Sequence, residues 1–344
     1  MKAIRISAIG EKLIHADVAT PVPEAGEVVV AVKAAGICHS DAHFLSGIGS
    51  LAQLPITPGH EVAGIIESIG PGVSRERVGE RVCLHYLVTC GECSYCRRNI
   101  GQFCSEVSMI GKDRDGGYAE FICVPEQNAF TLPDEIPFMH AAVMMCSFAT
   151  ALHALRKASF AEGESVAIFG AGGLGVAAIG LSAALGASTI IAVDKNSAKI
   201  AAARSMGVIG IDASDTDVVE AVMDSTGGQG VDVALELVGL PMTSQQAVRS
   251  LGVQGRAAMV GLASAPTPVN MYTDLIGRER EIIGVSDHLP EEIDELISLV
   301  LRGRLDIAPA ISKTVPLDET AINAVFEELD SYSGNAIRTV ISLE

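Results

Sequence analysis

The apolar run Ser165-Val166-Ala167-Ile168-Phe169 leads directly into Gly170-Ala171-Gly172-Gly173-Leu174-Gly175, and an alanine-rich, helix-like stretch then continues to about Leu185. A lone G-x-G-x-x-G carries little weight. Here it lies between a strand and a helix, and the next strand-like run, Thr189 to Val193, ends in Asp194. That context makes it a dinucleotide fingerprint: Gly170 permits the tight turn, Gly172 lets the backbone approach a pyrophosphate, and Gly175 lets helix and strand pack closely. Gly173 and Leu174 complete the loop at a helix N-terminus that favours an anion. Asp194 is placed to accept hydrogen bonds from ribose hydroxyls, and Lys199 follows within reach of the same cofactor. Strand-like runs at Val208 to Ile211, Val231 to Leu237, Arg256 to Val260 and Glu281 to Val285 bring the count to a six-stranded parallel sheet of the doubly wound, Rossmann type. The fold class is therefore α/β.

The first part of the chain has a different texture. From Met1 to Pro137 short β-type runs are broken by Gly and Pro, which predicts a small β-rich domain. Two clusters of metal-binding side chains sit within it. Gly36-Ile37-Cys38-His39-Ser40-Asp41-Ala42-His43 crowds a thiol, a hydroxyl, a carboxylate and two imidazoles behind an apolar strand, and Gly59-His60-Glu61-Val62-Ala63-Gly64 follows about twenty residues later. The second cluster, Cys90, Cys93, Cys96 and Cys104, has the spacing C-x2-C-x2-C-x7-C. Four thiolates on one loop close a tetrahedral zinc site with no open position. Cys83 and Cys123 fall on strand-like runs and read as buried thiols.

The pattern G-H-E-x2-G-x5-G-x2-V, from Gly59 through Gly64 and Gly70 to Val73, resembles the zinc signature of the medium-chain alcohol dehydrogenases. The cysteine loop resembles the structural-zinc lobe of the same family. The resemblance implies a GroES-like catalytic domain formed by residues 1–148 and 287–344, with an NAD-binding domain at 149–286. It implies a catalytic zinc on Cys38, His60 and Cys146, the last within Met144-Met145-Cys146-Ser147-Phe148-Ala149-Thr150. Three protein ligands leave a fourth position for water or an alcohol oxygen. It further implies that Ser40 and His43 relay a proton through the cofactor ribose and that Asp41 orients the His60 imidazole. Glu61 is a carboxylate beside the metal, and His39 lies by the cofactor pyrophosphate, where many relatives carry arginine. Tyr86, with Ile48 further out, is a candidate for the pocket wall. His15, His140 and His153 fit no ligand pattern.

With 344 residues the chain is long enough for two domains. Its formal charge of −18 argues against nucleic acid, whose phosphates it would repel. No long uninterrupted apolar span and no signal-like start are evident, so the expectation is a cytoplasmic protein without a membrane partner. The function expected is reversible hydride transfer between a primary or secondary alcohol and NAD, giving aldehyde or ketone, by a homo-oligomer, dimer or tetramer. Asp194 favours NAD over NADP. Two alternatives remain. One is a polyol or amino-alcohol dehydrogenase of the same superfamily, although those tend to carry glutamate where this chain has Cys146. The other is a catalytically silent NAD-binding sensor, although every zinc ligand and relay residue is in place.

Overall fold

The computed structural model describes residues 1–262, 265–330 and 335–343. It divides into two compact units: Met1–Cys146 with Leu289–Leu301 and Ile311–Glu344, and Ser147–His288 with Arg302–Ala310.

In the first unit the valine-rich segment Glu27–Ile37 is the longest strand among the described residues, and eight of its eleven positions are buried. It pairs antiparallel with Glu61–Ile69, placing Gly36 opposite Glu61, and with Phe121–Pro125. Around it the sheet runs in the order Lys313–Pro316, Thr339–Ser342, Glu27–Ile37, Glu61–Ile69, Arg81–Leu84, Ala129–Thr131. Two of these strands come from the end of the chain. Val28, Val30, Ile37, Val62, Ile66, Tyr118 and Phe326 form part of the core, worth roughly 1.5–3 kcal/mol for each large apolar side chain removed from water.

The second unit contains a six-stranded sheet with every neighbour parallel, ordered Ile209–Asp212, Thr189–Asp194, Ser165–Phe169, Val231–Glu236, Leu251–Met259, Glu281–Gly284. The order reverses between Ser165–Phe169 and Val231–Glu236, and ligands of such sheets bind in the crevice at the carboxyl ends of the strands flanking that reversal. The fifth strand begins earlier than its apolar run suggests. Leu251 pairs with Val231 and Arg256 with Val233, and the residues between form an irregularity in which Gln254 adopts φ 57°. Arg302–Ala310 groups with this unit because Leu305 and Ile307 are buried and the Arg304 guanidinium donates to the Ala184 carbonyl.

The helical stretch Phe138–Lys157 is long and apolar enough to cross a membrane by composition, yet 78% of its most apolar window is buried inside the molecule, as in the core helix of a folded protein.

Candidate active site

Strand Glu27–Ile37 ends at Cys38, which caps the helix His39–Leu45. The Cys38 backbone N–H donates to Asp41 Oδ2 at 3.0 Å, so the same short turn fixes the thiol and the carboxylate. His60 immediately precedes strand Glu61–Ile69. Cys146 sits within the π-type turn Met144–Phe148, which interrupts a helical stretch. The extra residue of such a turn re-aims a side chain that regular helical spacing would point elsewhere. One ligand atom from each of Cys38, His60, Glu61 and Cys146 lies within 4.8 Å of all the others.

Buried hydrogen bonds hold this cluster. Asp41, fully buried, lies with Oδ1 3.1 Å from His60 Nδ1, and its Oδ2 accepts from the Tyr118 hydroxyl at 2.9 Å. An acceptor at Nδ1 leaves Nε2 as the nitrogen free to bind a metal. Tyr118 is admitted by Gly59, where a Cβ would fall 2.3 Å from the ring. Arg338, buried in the same unit, places Nη2 3.1 Å from Glu61 Oε1.

The electrostatics are those of a site built for a cation. A hydrogen bond from the Cys146 thiol, with the charges of Arg338 and His60, holds Cys38 well below the usual thiol range. That same bond, reinforced by burial, holds Cys146 well above it, so the pair shares one proton. Burial works against a charged His60, but Asp41 and Cys38 raise it well above its ordinary value. Burial also pushes Glu61 up, to about 8, against the pull of Arg338. Among the described residues Glu61 Oε1 has only the Arg338 ion pair, and Oε2 has no partner. Two sulfurs, one imidazole and an orphaned buried carboxylate oxygen fit zinc, which would replace the shared protons with its own charge.

Ser40 Oγ lies 3.7 Å from Cys38 Sγ. His43 packs edge-on against His39 with ring centroids 4.7 Å apart, and its Nδ1 is buried without a hydrogen-bond partner among the described residues. Tyr86 is buried and meets the His60 ring edge-on at 5.2 Å, whereas Ile48 is exposed. Of the remaining histidines, His15 is exposed, with Nε2 3.9 Å from Asp17 Oδ1; His140 is half-buried and His153 buried. Cys83 is buried, and Cys123, half-buried, donates to Glu27 Oε2 at 3.2 Å.

The four cysteines of the loop also converge within 4.8 Å, with Cys93–Cys96 and Cys90–Cys104 sulfurs 3.5 Å apart. Backbone N–H groups of Cys93, Cys96 and Glu106 donate to the sulfurs of Cys90, Cys93 and Cys104 respectively. Backbone N–H groups, of Cys96 first and then Ser105, hold the Cys93 thiol down to about 6. Fixed donors of this kind stabilise thiolates, and a set of four fits a closed structural zinc site. Tyr95, Arg97 and Arg98 are exposed on the outside of the loop.

In the second unit the helix Gly173–Ala184 starts at the glycine loop. Gly170 takes φ 102°, and a Cβ on Gly175 would lie 1.9 Å from the Gly170 carbonyl oxygen, while a Cβ on Gly172 would meet nothing within 4 Å. The Asp194 carboxylate accepts from the Ala171 and Asn196 backbone N–H groups at 2.8 and 2.9 Å. Lys199 lies half-buried one turn further on, its N–H donating to Asn196 Oδ1.

Arg338 and Tyr118 escape a reading of the sequence. Arg338 stands alone at the start of a short apolar strand far along the chain from Glu61, and the only local signal is a cation entering a buried strand. Tyr118 follows two glycines in an unremarkable turn.

The fold and these two cysteine-containing clusters define a zinc-binding dehydrogenase. The sequence profile of the alcohol dehydrogenase GroES-like domain matches residues 24–134, and that of the zinc-binding dehydrogenases matches residues 173–302. The NAD-dependent alcohol dehydrogenase of Sulfurisphaera tokodaii is 31% identical over 352 residues, covering 96% of this chain and 97% of that protein. The L-threonine 3-dehydrogenase of Pyrococcus horikoshii is 34% identical over 309 residues, covering 88% of this chain and 87% of that protein. The crystal structure of the alcohol dehydrogenase from Aeropyrum pernix superposes with a TM-score of 0.89 at 32% identity, covering 99% of this chain and 100% of that one. The chain belongs to the zinc-dependent alcohol dehydrogenases of the medium-chain dehydrogenase/reductase superfamily.

Proposed function

We propose that this protein is an NAD(H)-dependent zinc alcohol dehydrogenase, transferring hydride reversibly between a primary or secondary alcohol and the nicotinamide to give an aldehyde or ketone. The observation that carries the reading is the convergence of buried Cys38, His60 and Glu61 with half-buried Cys146 in a chain that also carries the Gly170–Gly175 loop.

Cys38, His60 and Cys146 hold the catalytic zinc, and Cys90, Cys93, Cys96 and Cys104 hold a second, structural one. Bound at the first site, zinc supplies the Lewis acidity that makes an alcohol hydroxyl easier to deprotonate. Asp41 fixes the His60 tautomer, and Tyr118 and the Cys38 N–H in turn satisfy the Asp41 charge. Ser40 takes the hydroxyl proton. His43, whose buried Nδ1 has no competing partner among the described residues, passes it on towards water. Arg338 balances the negative charge gathered on Glu61 and the two thiolates. The glycine loop seats the pyrophosphate, and Asp194 receives the adenosine ribose. His39, at the start of the helix after Cys38, adds charge beside the pyrophosphate when protonated.

The reading extends to a cytoplasmic homo-oligomer. All eight cysteines are free, in keeping with a reducing compartment. The edge strand Glu281–Gly284, with Ile282 41% exposed, is the proposed seam of a dimer across a twofold axis. Light scattering that reports a monomer at micromolar concentration would remove that part.

The central test is metal analysis of the purified protein combined with the rise of NADH absorbance when alcohol is added. Zinc with alcohol-dependent NADH formation is expected. A chain that binds NADH and zinc but turns over no alcohol would instead be a silent sensor, and a higher kcat/KM for L-threonine or polyols than for simple alcohols would favour the amino-alcohol or polyol alternative.

A further inference from the structure

Asn128 is 3% exposed and has no part in the chemistry above. It closes the single helical turn Glu126–Asn128, just before strand Ala129–Thr131. Its side-chain Nδ2 donates to two backbone carbonyls, of His85 at 2.8 Å and of Leu87 at 2.9 Å. Its own carbonyl accepts from the His85 backbone N–H at 2.9 Å. Both amide hydrogens are therefore spent on the residues either side of Tyr86. The Tyr86 carbonyl accepts from the Ile110 N–H at 2.9 Å, and His85 Nδ1 lies 3.0 Å from the Leu87 carbonyl oxygen. Three successive carbonyls are thus held, two of them by one side chain. Asn128 Oδ1 is buried with no hydrogen-bond partner among the described residues, so what this amide contributes it contributes as a donor.

What the clamped turn carries is the Tyr86 ring. Val62 pairs with Leu84 across strands Glu61–Ile69 and Arg81–Leu84, and His60 and Tyr86 each stand two residues beyond that pair. On the other side of strand Glu61–Ile69, Gly36 pairs with Glu61, so Cys38 follows at the matching end of the next strand. The ends of three adjacent strands thus bring Cys38, His60 and Tyr86 to one edge of the sheet. The Tyr86 ring, buried, meets the His60 ring edge-on, with centroids 5.2 Å apart and planes at 82°, and lies parallel to the His85 ring at 5.9 Å. Asp41 engages His60 Nδ1 at 3.1 Å, which leaves Nε2 for the metal. A ring in contact with that imidazole occupies space beside the metal ligands.

We infer that Asn128 is a positioning residue for substrate size: by clamping the His85 and Leu87 carbonyls it fixes the Tyr86 ring against His60, and that ring bounds the space left for the carbon chain of an alcohol. A longer or branched alcohol must push the ring aside, and a turn held at three carbonyls resists. Without the amide, two buried carbonyls lose their donor and the turn yields. No other side chain of this shape does the same work: aspartate would set acceptors against acceptors, and a hydroxyl donates only once. The inference rests on the zinc alcohol dehydrogenase reading proposed above.

The test uses the zinc-loaded enzyme with NAD and three alcohols, ethanol, 1-hexanol and cyclohexanol. The readout is kcat/KM for each larger alcohol divided by that for ethanol. Asn128→Ala should raise this ratio by about fivefold or more, approaching the roughly tenfold that a pocket discriminates over one methylene. Asn128→Ser, which keeps one donor, should raise it less. Because Asn128 acts through Tyr86, Tyr86→Ala should raise the ratio at least as far, and the double variant should match Tyr86→Ala rather than multiply the two single effects. Zinc content should stay at the wild-type value, and its loss to a chelator should keep the wild-type rate, since Asp41 still holds His60. A ratio unmoved or lowered, a multiplicative double variant, or faster loss of zinc from Asn128→Ala would overturn the assignment. So would failure of both Asn128 variants to fold, which would make the residue a part of the fold and nothing more. A wild-type enzyme that holds zinc but turns over no alcohol would instead remove the functional reading, and this inference with it.

Discussion

The choice between NAD and NADP offers the sharpest quantitative test, and it centres on Asp194. Its two oxygens each accept one backbone N–H, from Ala171 at 2.8 Å and Asn196 at 2.9 Å, which anchors the carboxylate in one orientation. A carboxylate offers about four acceptor positions, so about two remain for the two ribose hydroxyls. Hydrogen bonds to a charged group contribute roughly 1.5–3 kcal/mol each. A 2′-phosphate would instead meet like charge: two unit charges about 5 Å apart at an effective dielectric of about 20 repel by about 3 kcal/mol, on the order of 100-fold. Lys195 and Lys199 soften that figure, and a preference for NAD of roughly 10–100-fold is expected. Asp194→Asn isolates the effect. The amide removes the charge but must turn its NH2 towards the Ala171 or the Asn196 N–H, so one ribose acceptor and one anchoring bond are lost together. NAD efficiency should fall about tenfold or more, and the gap to NADP should narrow or reverse. The assay is kcat/KM for both cofactors with one alcohol, on wild type and variant. Equal efficiencies in the wild type, or an unchanged ratio in the variant, would refute the reasoning.

Three further outcomes follow from the metal sites and the relay. Replacing Cys146 with alanine should abolish turnover and lower the zinc content from two per chain to one with the fold retained, while Cys93→Ala should chiefly lower the thermal midpoint; at most one zinc in the wild type after zinc-replete growth would contradict the pair. His43→Ala should slow alcohol oxidation most at low pH, where bulk base is scarce, within the about 10²–10⁴-fold that general acid–base groups supply, and imidazole buffer should restore part of it; a pH–rate profile identical to wild type would count against the relay. In the zinc-free chain the folded Glu61 carboxyl sits at about 8 against an ordinary 4.5, so between those values the folded state holds a proton that the unfolded state has released. Glu61's contribution to the stability of the zinc-free chain should therefore fall as pH rises through that window, while Cys38, held low, contributes in the opposite sense, so Glu61→Gln should make the slope of stability against pH in urea titrations more positive; a slope unchanged by the substitution would refute the Glu61 contribution.

What was legible in this sequence follows from how far each determinant reaches along the chain. The glycine loop, the six strands of the parallel sheet and the cysteine loop are written within windows of a few residues, since turn geometry, period and ligand spacing are local properties. The boundaries blurred where the backbone departs from its period, as at the irregularity between Leu251 and Arg256. The site is harder to read because its parts arrive from separate strands. Cys38 and His60 stand beside recognisable patterns. Cys146, by contrast, comes to its place through a π-type turn that the apolar run around it does not announce. Arg338 and Tyr118 carry no local signal, because what selects them is a charge to be balanced at Glu61 and a carboxylate to be held at Asp41, both in the folded interior. Glu236 is the extreme case. In the sequence it is one acidic residue at the end of an apolar strand, and such residues are ordinarily solvated. Only the packing, which buries it and turns the N–H groups of Val238 and Gly239 towards it, makes its charge structural. A buried carboxylate satisfied by the turn that follows it and by the Thr243 hydroxyl of the next helix is costly to desolvate, and it stabilises that turn only while every donor stays in place.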